Sequence, residues 1–219
     1  MIRCLWTAGR INLILVTAAT SAWTAGRPSA PSKATASLEL RIVKDSLGCP
    51  VAIDLWLAST SDSIQGIEAV VGWDHPQWLD FALAGSDPSG KDTTALGALL
   101  GKAVNPRSRV ALDAPGGLLS TWELLEARRT GEDTIKFVGV ARLFGQHPGV
   151  PVLPGASGRL CRFSLTQSVS SASPDPPDSM LVSLEPSGTR VSDPNGILFS
   201  QVKLKQDVTA IVRCRASKH

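Results

Sequence analysis

Asp54 and Trp56 stand two positions apart in Val51-Ala-Ile-Asp-Leu-Trp-Leu57, and in an extended chain that spacing sets a carboxylate beside an indole on one face. Such a pair can stack on a sugar or anchor a protein partner, because the ring offers a large apolar area with a polar edge. Trp78, between Pro76 and Leu79, is a second ring of this kind, set in a loop. Asp54, Trp56 and Trp78 are therefore the candidate binding residues. A competing reading of Trp56 has the long segment 82–115 covering it.

Catalytic chemistry finds little to work with. Glycoside hydrolysis needs two carboxylates across a cleft, whereas most Asp and Glu here fall in turns or at outward strand positions. No Gly-x-Ser-x-Gly elbow occurs, and His75 and His147 sit in loops. Asp193-Pro-Asn-Gly196 lacks the spaced acidic ligands and closing Glu of a calcium loop, so it reads as a turn. Zinc needs four convergent ligands, and there is no Cys-x-x-Cys pair. No enzyme activity, metal or cofactor is expected.

The first 38 residues carry no Asp or Glu, place Arg3 and Arg10 early, and run through Ile11–Ala19 into Thr20-Ser-Ala22. That is the pattern of a signal peptide cleaved after Ala22, with an apolar run well short of the roughly 20 residues a membrane helix needs. The expected product is exported, secreted or periplasmic, with no membrane span. The expected organisation is a signal peptide over 1–22, a tether over 23–36, a folded domain over 37–213 and a short tail over 214–219. Of 22 basic and 19 acidic residues, removing Arg3 and Arg10 leaves 20 − 19 = +1. With no basic block, nucleic acid is not an expected partner. Cys49, Cys161 and Cys214 remain after cleavage, an odd count in a compartment that permits disulfides.

Period-two runs dominate the folded part: Leu38–Val43, Val51–Leu57, Gly66–Trp73, Thr134–Ala141, Arg159–Leu165, Met180–Leu184 and Val202–Val212. Short runs punctuated by Gly, Pro, Asp and Ser predict an all-β antiparallel sandwich. Leu118–Arg129 is ambiguous. Ser120-Thr-Trp-Glu123 fits a helix capping box, yet Thr130-Gly-Glu-Asp133 would turn the same stretch into a hairpin with Ile135–Val138, and the hairpin is favoured. Segment 82–115 is a long insertion after the second core strand, with an apolar middle that could hold a turn or two of helix.

Gly66-Ile-Glu-Ala-Val-Val-Gly-Trp73, followed by Asp74, Pro76, Leu79 and Phe81, resembles the signature of cohesin domains. Gly158-Arg-Leu-Cys-Arg-Phe-Ser-Leu165 and Asp193-Pro-Asn-Gly196 are similar in order to that family's late strand and closing turn. Trp73 stands where tyrosine is usual, and His75 inserts one residue before Pro76. The resemblance implies a jelly-roll sandwich of about nine strands and a non-catalytic role in binding a dockerin-type protein module in a polysaccharide-degrading context. A related alternative is a carbohydrate-binding module using exposed tryptophans against a polysaccharide. In that arrangement the strands of Cys49 and Cys161 lie side by side. Since Cys49 is in phase with Val51 and Ile53, and Cys161 with Phe163 and Leu165, a Cys49–Cys161 disulfide becomes an expectation. Cys161–Cys214 pairing and three reduced thiols are the alternatives. Parity also places Trp73 in the core.

Overall fold

The computed structural model describes residues 33–74, 79–84, 109–142, 149–167, 179–205 and 208–210, all within one compact unit. They form strands and turns with no helix among them. The strands are β1 (Thr35–Lys44), β2 (Pro50–Thr60), β3 (Gly66–Trp73), β4 (Leu79–Phe81), β5 (Leu112–Asp113), β6 (Leu124–Arg129), β7 (Thr134–Val140), β8 (Gly158–Gln167), β9 (Met180–Leu184), β10 (Arg190–Ser192), β11 (Gln201–Lys205) and β12 (Val208–Ala210). One sheet runs β11-β1-β2-β8-β4 with β5 also on β8, and the other runs β12-β9-β3-β7-β6 with β10 also on β3. The chain passes repeatedly between them, giving the sandwich that the strand pattern predicts, with the jelly-roll topology that the resemblance implies.

All pairings are antiparallel except β1 with β11. Twelve described strands exceed the expected nine or so, because the edges carry two- and three-residue pieces. The run Val202–Val212 is divided: β11 lies beside β1, and β12 crosses to pair with β9 in the opposite sheet. In Leu118–Arg129 the hairpin prevails, with β6 against β7 and Thr130 N–H donating to Thr134 O at 2.9 Å. Its strand begins only at Leu124, after successive turns through Gly117, Ser120 and Trp122.

Alternate residues of the two sheets meet in the middle. Leu38, Leu40, Ile53, Leu55, Leu57 and Phe163 face Ala69, Val71, Ile135, Phe137, Val182 and Leu184, all buried. Edge-to-face contacts link Trp73 to Phe81 at 4.8 Å, Phe81 to Phe163 at 5.9 Å and Phe163 to Phe137 at 5.9 Å. Trp73 is thus a core ring, 5% exposed. Trp122 is buried as well, its indole N–H donating to Val150 O at 3.0 Å. At one edge, Val110 N–H donates to Ala127 O of β6 while the following β5 pairs with β8, so a single passage of chain bridges the two sheets.

Three register shifts reset the phase of the strands, one of them leaving Ala58 of β2 extra opposite Ser37 and Leu38 of β1. Opposite β1, partners step from Ala52 to Pro50, leaving Val51 as an extra residue that is 41% exposed while Pro50 is buried. Opposite β2, partners step from Cys161 to Arg159, leaving Leu160 extra and both Leu160 and Cys161 buried.

The expected Cys49–Cys161 disulfide does not form: Cys161 is a free, buried thiol and Cys49 is disulfide-bonded elsewhere. Cys161 lies opposite Leu55. Six residues of strand, about 20 Å, therefore separate it from the level of Cys49, against the roughly 7 Å a disulfide tolerates. Burial, then the nearby Asp54 charge, pushes the Cys161 thiol well above its ordinary range.

Candidate binding faces

On the outer face of the first sheet, the β8 bulge brings two arginines three positions apart onto the same side. Arg159 lies opposite Trp56, and Arg162 opposite Asp54. Arg162 grips Asp54 with two parallel bonds, Nε to Oδ1 at 2.7 Å and Nη2 to Oδ2 at 3.0 Å. Asp54 is 6% exposed. Its hydrogen bond raises the Arg162 guanidinium above its ordinary range, with Asp113 across the strand adding to the effect. Arg159 is held by the carbonyl of Pro115.

Trp56 is half-buried, and its cover comes from β1. The Arg41 guanidinium carbon sits 3.8 Å from the ring centroid, a cation–π stack. Arg41 Nε also donates to Glu39 Oε1 at 2.5 Å, and Lys205 Nζ from β11 lies 3.4 Å from Glu39 Oε2. Burial alone would raise the Glu39 carboxyl, but the Arg41 hydrogen bond and charge, with Lys205 behind them, hold it below its ordinary range. The structure therefore brings Asp54 and Trp56 side by side as expected, but inside a lattice of satisfied ion pairs. Trp78 lies outside the described residues.

The second sheet presents a different outer face. Even-numbered residues of β3 and β7 point away from the core. Val138 lies opposite Glu68, and Val70 opposite Lys136. The two valines are diagonal neighbours, both half-buried. Lys136 Nζ and Glu68 Oε1 pair at 2.5 Å with side chains 43% and 33% exposed. Arg190 of β10 flanks Glu68 on the other side, while Ser183 and the exposed Leu181 continue the surface along β9. Toward β6 the surface closes over the buried Arg128–Glu126 ion pair. The result is a plateau with half-buried valines beside the partly exposed Lys136–Glu68 pair. These residues were within reach of the sequence, since the outward parity of Gly66–Trp73 and Thr134–Val140 selects them.

No protein-family model and no curated protein sequence matches this chain. Several solved structures align with this chain over most of its length. A type II cohesin domain from the cellulosome of Acetivibrio cellulolyticus is 15% identical over 80% of this chain and 95% of its own, with a TM-score of 0.49. A type I cohesin–dockerin complex from Clostridium thermocellum aligns at 12% identity over 83% of this chain and 94% of that one, with a TM-score of 0.46. A non-cellulosomal cohesin from the archaeon Archaeoglobus fulgidus aligns at 12% identity over 79% and 87%, with a TM-score of 0.41.

Proposed function

We propose that this protein is an exported, non-catalytic module that docks a dockerin-type protein partner on the outer face of the β9-β3-β7 sheet. The plateau around Val70 and Val138 carries this reading. An apolar centre rimmed by exposed charges of both signs is the surface composition of a protein-docking site. On the opposite face Trp56 is roofed by Arg41, which leaves no open ring platform among the described residues for a polysaccharide. The acid-free, Arg-started, apolar N-terminus supports export.

The test is titration of the purified chain against a panel of EF-hand-like dockerin modules, beside a glycan array. Specific dockerin binding, weakened at least about tenfold by Val138→Asp in a variant of unchanged circular dichroism, is the expected outcome. Glycan binding lost on Trp56→Ala, with no dockerin bound, would replace this reading with the carbohydrate one.

A further inference from the structure

The chain contains four cysteines, at 4, 49, 161 and 214. Cys49 is disulfide-bonded and Cys161 is free, so the partner of Cys49 is Cys4 or Cys214. Cys4 lies ahead of the apolar run, in the part of the sequence that carries the export signal. We propose that Cys49 and Cys214 form a disulfide that clasps the C-terminal tail to the turn between β1 and β2. The elimination of Cys4 rests on the export reading.

The described part of the fold directs the chain leading to Cys214 toward the end of the sandwich that holds Cys49. β2 starts and β3 ends at the same end, because they are joined at the other by residues 61–65. Cys49 immediately precedes β2. Ala210 of β12 pairs with Met180, just beyond the level at which Trp73 of β3 meets Val182. β11 runs parallel to β1 and therefore heads for the same end. Four residues, with an extended reach of about 14 Å, lead from Ala210 to Cys214, and the two sheets of a sandwich stand only about 10 Å apart.

The Cys49 turn is built to hold its residue in place. Asp45 Oδ1 accepts the N–H groups of Leu47 and Cys49, each at 2.8 Å, and Asp45 N–H donates to Cys49 O at 2.8 Å. Gly48 supplies the left-handed conformation at φ 81° that closes the turn. Cys49 is half-buried, whereas Cys161 is sealed in the core. With Cys161 sealed and Cys4 removed with the leader, Cys214 is the thiol left to pair with Cys49. Each thiol gives up a proton, the pair gives up two electrons, one S–S bond forms, and a disulfide-bearing oxidant of the export compartment is reduced to its dithiol.

Non-reducing peptide mapping of the exported full chain tests the assignment. The expected result is a Cys49–Cys214 linked peptide, with Cys161 alkylated only after denaturation. Cys214→Ser should make Cys49 alkylatable in the folded protein and lower the melting temperature by roughly 5–10 °C, an effect that reductant reproduces in the parent chain. A Cys49–Cys4 peptide would overturn the pairing and the export reading together. A freely alkylated Cys49 in a chain whose intact mass shows the leader removed would overturn the pairing alone.

Discussion

At the scale of single residues, the difference between a binding group and a structural one lies in what surrounds it. Asp54 and Trp56 have the chemistry of a ligand site, yet each already has a partner, Arg162 and Arg41. Removing one member of a largely buried charge pair leaves the other unsatisfied, which costs more than the pair contributes. With Arg162 still a third exposed, Asp54→Ala should cost about 2 kcal/mol of unfolding free energy in a denaturant titration, and Asp54→Asn less. Under the proposed docking on the opposite sheet, partner binding should be unchanged in both variants. The strand parity of these residues is legible from the sequence. Their partners are not, because Arg162 reaches Asp54 through register with a strand 108 residues further on, and Arg41 reaches Trp56 through the register of β1 against β2.

At the scale of elements, local grammar and tertiary adjustment divide the outcome. The hairpin of β6 and β7 follows from a short glycine-containing turn, and Asp193 closes its own turn by accepting the N–H groups of Asn195 and Ile197. The bulges at Val51 and Leu160 are a different matter. They shift a strand's phase by one residue to fit its neighbour, and so invalidate the parity that placed Cys49 in phase with Ile53. Backbone crowding tells the same story at Gly149, where a Cβ would stand 2.4 Å from Ala141 O and 2.6 Å from Thr121 O. Both are main-chain atoms, and Ala141 O accepts the Gly149 N–H itself, so neither can swing aside as a side chain would. Gly149→Ala should therefore destabilise the protein by about 2–3 kcal/mol, measured by urea unfolding.

At the scale of the whole molecule, charge distribution sets how stability responds to pH. The folded Glu39 carboxyl lies below its ordinary value of 4.5. Its contribution is therefore complete above that pH and is lost as the pH falls through the folded value. Melting temperature should decline on acidification below pH 4.5, and Glu39→Gln should lower it at neutral pH while flattening that decline. The sequence by itself determined the fold class, since period-two runs broken by turn residues have few ways to bury one face other than a sandwich. It also determined which residues face inward wherever strands run unbroken. Tertiary structure alone decided how Trp56 is roofed and why Cys161 remains a thiol. Those outcomes depend on register and bulges, which are set by the packing of distant strands against each other rather than by any local pattern.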